Sequence, residues 1–472
     1  MATTDYDVIV VGSGPNGLAA AITLQRSGAR VLMVESRPQI GGGMRTSEVT
    51  LPGFLHDICS AVHPMAMGSP FFAQLPLEQF GLRFAWSEYE AAHPLDNGKA
   101  AVLARSIQDT ALGLGADGGA YTQLIKPVAD HWNEIASDAL GPFSFPNHPL
   151  LMARFGWNAL RSASMVAKRF VTPEARALWA GMAAHSIQPL TNIASAAIGM
   201  VLSAAGHRFG WPVPVGGSQA IGNALAAYFR QLGGEIQTGF HVTSLEQLPS
   251  HKAVVFDLTP KQLLQIAGDR FPAGYRRQLE KYRYGPGVFK IDFALDGPVP
   301  FTAPECRKAI TVHLGGTFEE IALSEQLAAS GKHSEAPFVL FSQQSIADKR
   351  APDGKHTGWA YCHVPNGSTK DMTEIIEKQI ERFAPGFRDL ILARHTMNAV
   401  EMENYNPNYV GGDINGGISD LGQLYTRPTL SLTPYRTAAT GIYICSSATP
   451  PGGGVHGLCG YHAANVVLKD IF

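Results

Sequence analysis

The hydrophobic pattern near the N-terminus predicts two buried strands with a helix between them. Val8–Val11 is an unbroken β-branched run, which is typical of a short strand buried on both faces. Residues 18–26 are rich in small side chains and predict a helix that ends at Gly28. Val31–Val34 predicts a second buried strand. This order predicts a βαβ unit at the start of a parallel sheet.

A glycine pattern joins the first strand to the helix, in the spacing Gly12-x-Gly14-x-x-Gly17. In a dinucleotide-binding βαβ unit such glycines allow a tight turn, close approach of the backbone to a pyrophosphate, and close helix–strand packing. The pyrophosphate lies on the N–H groups at the positive end of the helix. Glu35 ends the second strand, where a carboxylate accepts hydrogen bonds from a ribose diol. The unit predicts an adenosine diphosphate site and leaves NAD and FAD open; an empty structural turn is the alternative.

The residues after Glu35 extend the predicted site into a glycine-rich loop, Gly41-Gly42-Gly43-Met44-Arg45-Thr46. Glycines admit a bulky cofactor against the backbone, and Arg45 offers a fork of donors to phosphate or flavin oxygens. The loop resembles the extended fingerprint of flavoproteins of the glutathione-reductase-like superfamily, and this resemblance implies FAD. The cofactor-binding residues predicted in this part of the chain are Gly12, Gly14, Pro15, Asn16, Gly17, Glu35, Ser36, Arg37, Gly42, Gly43, Met44 and Arg45.

The middle of the chain, residues 69–210, is predicted to be mostly helical. Apolar residues at helical spacing predict helices at 117–140, 152–170, 173–185 and 191–205. Their apolar, Met-containing pattern suits an apolar substrate chamber or a lid that touches a membrane. Ordinary core helices show the same pattern and are the simpler interpretation.

Residues 211–258 are predicted to return to the cofactor sheet. A Pro214-Val215-Gly216-Gly217 turn precedes a predicted helix at 219–231 and predicted strands at 235–242 and 253–258. The superfamily resemblance implies that the first of these strands offers backbone to the adenine, which adds Val242 to the cofactor contacts. Alternating runs at 288–295, 311–314, 338–342 and 358–364, followed by an amphipathic helix at 371–383, predict a second, mixed sheet.

These elements predict an α/β fold with a Rossmann-type FAD-binding domain of the glutathione-reductase-like superfamily. A discontinuous substrate domain of mixed sheet and helices is expected beside it. We expect the FAD-binding domain in residues 1–70, 211–285 and 430–472, and the substrate or cap domain in 71–210 and 286–429. No second GxGxxG unit follows a strand, so a separate NAD(P)H domain is not expected.

Composition narrows the function further. A formal charge of −2 over 472 residues gives no electrostatic case for a nucleic-acid partner. Five cysteines without a CxxC pair predict reduced thiols, and no Cys/His cluster has ligand spacing, so no metal is expected. The first strand begins near Tyr6, and the longest apolar stretch, 193–205, is too short to span a membrane. We expect a cytoplasmic protein without a signal peptide; peripheral membrane contact and the oligomeric state stay open.

The C-terminus carries the second half of the predicted site. Residues 441–447 predict a buried strand, 450–457 a glycine loop and 458–469 a helix. N–H groups there can face the flavin edge on which negative charge builds upon reduction, so Gly454, Val455 and His456 join the cofactor residues. The arrangement closely resembles the last motif of the phytoene-desaturase-like flavoproteins. More narrowly, the chain is similar to the bacterial relatives of pyridine nucleotide-disulfide oxidoreductase domain-containing protein 2.

The resemblance implies an FAD-dependent oxidoreductase that dehydrogenates, or desaturates, a hydrophobic or isoprenoid-like small molecule by hydride transfer to flavin N5. A redox-neutral isomerase and a flavin-dependent amine oxidase are alternatives. The amine oxidase would need an aromatic cage and often a lysine near the flavin, and neither is identifiable in the sequence. Escort proteins share the fold without catalysis, but the retained glycines, Glu35 and Arg45 favour an enzyme. The substrate and the terminal electron acceptor stay open.

Three loop histidines are the catalytic candidates. His456 comes first, because residues 452–457 are expected beside the isoalloxazine, where an imidazole can orient substrate or take a proton. The alternative is that His456 caps the last helix. His63 and His56 follow it, since both lie in the irregular loop 50–70, after the flavin-contacting loop.

Overall fold

The computed structural model describes residues 4–424 and 426–472. The strands of the described part of the chain are β1 (Val8–Val11), β2 (Val31–Val34), β3 (Thr46–Ser47), β4 (His56–Asp57), β5 (Phe84–Ala85), β6 (Tyr89–Pro94), β7 (Ala100–Ala104), β8 (Val213–Pro214), β9 (Glu235–Gln237), β10 (Ala253–Phe256), β11 (Gly287–Leu295), β12 (Ala309–Leu314), β13 (Val339–Ser342), β14 (His356–Val364), β15 (Ile391–Met397) and β16 (Ile442–Ile444).

The α-helices of the same residues are α1 (Pro15–Arg26), α2 (Pro64–Met67), α3 (Ile107–Gly113), α4 (Gly118–Asp130), α5 (Trp132–Ala139), α6 (Pro149–Ala159), α7 (Ala163–Ala167), α8 (Pro173–Ala184), α9 (Ser195–Phe209), α10 (Gln219–Gln231), α11 (Pro260–Ala267), α12 (Ala273–Glu280), α13 (Phe318–Ala329), α14 (Thr373–Phe383), α15 (Ala399–Tyr405), α16 (Leu421–Leu424) and α17 (Leu458–Ile471).

The first sheet is parallel and has the strand order β16-β10-β1-β2-β9. Strands β1, β2 and β10 are buried along their whole length, as expected for apolar strands covered on both faces. Helices α1, α10 and α17 pack on one face of the sheet. Helices α11 and α12 pack on the other face. The predicted Rossmann-type α/β fold is confirmed.

The second sheet is mixed and has the order β15-β11-β14-β13-β12-β6-β7. Strand β6 pairs in parallel with β12, and the other pairs are antiparallel. The prediction that residues 69–210 are mostly helical misses β6 and β7. These strands form a hairpin around Asn97-Gly98, where Gly98 adopts a φ of +77°. How the chain divides into domains stays a prediction.

Two predicted helices are each broken into two. The helix predicted at 117–140 ends at Asp130 and restarts at Trp132, shortly after Pro127, which cannot donate a backbone hydrogen bond. The helix predicted at 152–170 is α6 followed by α7, because Ser162 caps α7 by accepting from the Met165 N–H. Among the described residues, no helix has the length and hydropathy to cross a membrane.

Candidate active site

A continuous cavity with a volume of ≈ 430 Å³ connects the glycine loop after β1 with the loop before α17. This volume lies in the range of small-molecule sites. Most of the predicted cofactor residues line the cavity: Gly12, Gly14, Pro15, Asn16, Glu35, Ser36, Arg37, Gly42, Gly43, Arg45, Val242, Gly454 and Val455. The structure therefore brings both ends of the predicted site to one cavity.

Three predicted cofactor residues, Gly17, Met44 and His456, are not among the lining residues. Gly17 has a packing role, because a Cβ there would overlap the Gly12 carbonyl oxygen. The Met44 side chain is fully buried in the core below the first sheet.

The glycine loop is tight because Asp257 lies against it. Gly12 has a φ of +103°, which favours glycine. A Cβ on Gly14 would lie 2.6 Å from Asp257 Oδ2, and a Cβ on Gly42 would lie 2.9 Å from the Gly14 Cα. Only glycine fits these two positions without a shift of the neighbouring residues. The loop therefore keeps its backbone accessible to a ligand.

Glu35 anchors the loop from the end of β2. Its Oε2 accepts hydrogen bonds from the Ser13 N–H at 3.0 Å and from the Ser13 hydroxyl at 2.6 Å. Its Oε1 accepts from the Arg37 N–H at 2.9 Å and lies 3.3 Å from Arg45 Nη2. Glu35 is 5% exposed, so its charge is held by protein donors as well as offered to a ligand.

Asp257 is a site residue that sequence reasoning missed. It follows β10 directly and lines the cavity, and its Oδ2 accepts from the Gly17 N–H at 2.9 Å. Burial, with the nearby charge of Glu35, raises the pKa of Asp257 to about 7. The signal in the sequence was an acid directly after a buried strand, at the edge where ligands bind in parallel sheets.

These residues fit FAD. Asn16, at the start of α1, has a buried Oδ1 without a partner among the described residues, and Asn16 lines the cavity. The N-terminus of α1 and the glycine loop would hold the pyrophosphate, and Glu35 would hold the ribose. Gly42, Gly43 and Arg45 would continue this surface towards Gly454 and Val455. When bound, the flavin supplies a hydride acceptor.

The three candidate histidines lie in different environments. His456 caps α17: its Nδ1 accepts from the Leu458 N–H at 3.0 Å, and its Nε2 donates to the Gly452 carbonyl at 3.2 Å. His56 lies outside the cavity, with Nε2 2.7 Å from the Thr50 hydroxyl and Nδ1 3.7 Å from Asp292 Oδ1. Only His63, of the three, lines the cavity.

His63 has one ring nitrogen available for chemistry. The Ser218 hydroxyl donates to the Ser60 carbonyl at 2.7 Å, so His63 Nε2 donates to Ser218 Oγ at 2.8 Å. His63 Nδ1 then carries a lone pair and has no partner among the described residues. Burial lowers the pKa of His63 to about 4, so the imidazole is neutral at pH 7.

Another part of the cavity wall is mainly apolar and aromatic. Trp359 and Tyr361 lie two positions apart on β14, so both point to the same face of the strand. Their rings form an edge-to-face pair with centroids 5.2 Å apart. The described residues of this part, the substrate half of the cavity, include Ala61, Val62, His63, Met65, His185, Leu202, Trp211, Leu340, Trp359 and Tyr361.

A buried ion pair lies next to this wall. Lys290 and Asp292 form it on β11, and the Lys290 Nζ lies 5.8 Å from the centroid of the Trp359 ring. Lys290 is not among the residues that line the cavity. Two charges in an otherwise apolar strand are the signal that could have located this pair. Of the two predicted middle helices α8 and α9, only α9 lines the cavity, through Leu202. Both helices pack mostly in the core, in keeping with the simpler interpretation as ordinary core helices.

Comparison with known proteins supports the same fold and cofactor. Residues 10–72 match the NAD(P)-binding Rossmann-like domain. The chain is 25% identical to pyridine nucleotide-disulfide oxidoreductase domain-containing protein 2 of Mus musculus, over 99% of this chain and 94% of that protein. The Rattus norvegicus protein of the same name is 24% identical over the same shares.

Solved structures share the fold over the full length. One is an oxidoreductase from Methanosarcina mazei, with a TM-score of 0.63 and 17% identity over 98% of this chain and 100% of that chain. Another is cyclohexylamine oxidase from Brevibacterium oxydans, with a TM-score of 0.61 and 15% identity over 99% of each chain. The solved structures show that the fold is shared, and the motifs with the full-length likeness confirm the predicted resemblance to FAD-dependent oxidoreductases, with FAD as the cofactor.

Proposed function

We propose that this protein dehydrogenates an apolar small molecule at carbon, with the isoprenoid-like substrates named above as the first class to test. The observation that carries the proposal is the substrate half of the cavity, since none of its ten residues named above carries a charge at pH 7. The carboxylates on the described lining, Glu35 and Asp257, both lie at the glycine loop. A wall of this kind binds apolar surface and offers no ion pair to a charged substrate.

The chain's own residues account for orientation and for the proton. Trp359, Tyr361 and Leu202 bury the substrate and exclude water from it. As a carbon–carbon double bond forms, the substrate loses a hydride from one carbon and a proton from its neighbour. His63 Nδ1 accepts that proton, because it is unprotonated and has no other partner among the described residues.

A second candidate, amine oxidation, is supported by one observation. Trp359 and Tyr361 contribute two aromatic rings to the cavity lining, with Lys290 buried beside Trp359. These are the features that this alternative requires and that the sequence did not identify. An aromatic ring attracts the ammonium group of an amine through a cation–π contact, so a carboxylate partner is not required.

The two functions are separated by anaerobic reduction of the purified holoprotein. The probes are a C20 isoprenoid hydrocarbon and the primary alkylamine of the same length. We expect the hydrocarbon to bleach the flavin absorbance and the amine to leave it unchanged. Reduction by the amine alone would transfer the assignment to amine oxidation.

The role of His63 is tested with the matched pair His63→Gln and His456→Gln. At equal FAD content, His63→Gln is expected to slow flavin reduction by about 10²-fold, as for loss of a general base. His456→Gln removes a helix cap and is expected to lower the melting temperature while flavin reduction stays near the wild-type rate. Equal rates in the wild type and His63→Gln would exclude His63 as the base.

A further inference from the structure

Helix α6 is apolar on both of its sides, which is unusual for a helix at the surface. Leu151, Met152 and Phe155 pack against the largest core of the molecule. Leu150 and Trp157 point outward and are 87% and 69% exposed. A surface helix normally turns a polar face to water, because exposed apolar area is unfavourable. Contiguous exposed apolar groups mark sites that contact another surface.

The outward residues form one stripe along the helix. Leu150, Arg154 and Trp157 follow each other at intervals of four and three positions, which places them on one side of α6, and Arg161 lies two residues beyond the end of this helix. The Arg161 guanidinium lies 4.8 Å from the centroid of the Trp157 ring. Phe145, before the helix, and Met165, after it, are 85% and 51% exposed. We call these six residues the basic apolar face.

The charge of this segment has one sign. Residues 139–173 contain Arg154, Arg161, Lys168 and Arg169 but no Asp or Glu, although the whole chain has a formal charge of −2. None of the four cations forms an ion pair within residues 4–424 and 426–472; Arg169 donates to Asn158 Oδ1 at 2.6 Å. Cations next to exposed Leu, Trp and Phe are the composition of an interfacial helix.

We propose that the basic apolar face docks on the surface of an anionic phospholipid bilayer. Leu150, Trp157 and Phe145 would enter the boundary between headgroups and acyl chains, and Arg154 and Arg161 would meet lipid phosphates. Helix α6 packs against α9, and α9 contributes Leu202 to the cavity wall. The docked face is therefore one helix away from the apolar half of the cavity.

The test is co-sedimentation of the full-length holoprotein with vesicles of pure phosphatidylcholine and of phosphatidylcholine mixed with phosphatidylglycerol. We expect binding to the anionic vesicles only, weakened by salt. Arg154→Gln and Arg161→Gln are each expected to reduce the partition coefficient about fivefold, the effect of one cation near an anionic surface. The double variant Leu150→Ser, Trp157→Ser is expected to abolish binding.

The matched control is Leu323→Ser with Leu432→Ser, two leucines that are 58% and 80% exposed on other elements. This control is expected to bind vesicles like the wild type. All variants are compared at equal FAD content, and only variants with the melting temperature of the wild type are used. Equal binding to both kinds of vesicle, or loss of binding in the control, would overturn the proposal. The proposal would also be overturned if the wild type is a dimer that does not bind vesicles and the variant Leu150→Ser, Trp157→Ser is a monomer, since the face would then bind a second copy.

Discussion

The Asp257 side chain is a second carboxyl group near Glu35, at the glycine loop that would hold the pyrophosphate. Because burial raises its pKa to about 7, this carboxyl gains charge as the pH rises through neutrality. Because the pKa of Asp257 is higher in the folded than in the unfolded protein, its protonated form contributes to the stability of the fold. This contribution is fully present below the unfolded pKa of 3.8 and is lost as the pH rises through about 7. The ionised form also repels a pyrophosphate, so the same residue connects cofactor binding to pH.

Asp257→Asn is expected to remove this pH dependence. In the wild type, the affinity for FAD is expected to fall about tenfold between about pH 6 and pH 8, since one pKa unit of coupling is a factor of ten. In Asp257→Asn the affinity should be nearly constant, because Asn still accepts from the Gly17 N–H and carries no charge. Flavin fluorescence titrations at both pH values measure this. Asp353→Asn, at the exposed Lys349 pair, is the control and should follow the wild type.

For single residues, the sequence predicts which positions need a particular backbone geometry better than it predicts where a side chain points. Gly12, Gly14 and Glu35 were found because a dinucleotide loop needs them at that spacing. His456 was ranked first by its place in the chain, but a sequence does not show that both ring nitrogens hydrogen-bond to the backbone. Trp359 was missed because its exposure to the cavity depends on elements far away in the chain.

At the scale of elements, helices α1 and α17 meet through a glycine. A Cβ on Gly460 would overlap the Asn16 carbonyl oxygen, so only glycine lets α17 lie this close to the N-terminus of α1. Gly460→Ala is therefore expected to lower the free energy of unfolding by about 1–3 kcal/mol, as for an overpacked core, and to weaken FAD binding. Chemical denaturation and FAD titration measure the two effects.

A glycine in another helix is the control for this substitution. Gly156, in α6, has nothing within 4 Å of the position of its Cβ. Gly156→Ala is expected to raise the free energy of unfolding by about 0.5–1 kcal/mol, the usual helix propensity gain. A destabilisation of similar size in both variants would mean that close packing of α17 on α1 is not the cause.

The elements of the two sheets were largely predictable, with a physical reason for each exception. Strands β1, β2 and β11 to β14 were found from apolar runs that match a sheet buried on one or both faces. The β6–β7 hairpin was missed although Asn97-Gly98 is a strong hairpin turn signal. Its strands are rich in Ala, which also favours helices, so composition outweighed the turn.

At the scale of the whole molecule, the site depends on contacts between distant parts of the chain. Strand β16 pairs with β10 through Val254 and Ile442, and this pairing brings the C-terminal loop to the sheet that carries the glycine loop. Local patterns predicted each half of the site. That both halves line one cavity is a property of the fold, which the sequence indicates only through the family resemblance.

The central claim is that FAD binds between the glycine loop after β1 and the loop before α17. It is tested most directly by denaturing the purified protein and quantifying the chromophore that it releases. The expected result is one FAD per chain for the wild type. Gly14→Val should release almost none, because its side chain would collide with Asp257. A wild-type protein that releases no flavin and binds none when FAD is added would contradict the assignment of this cavity.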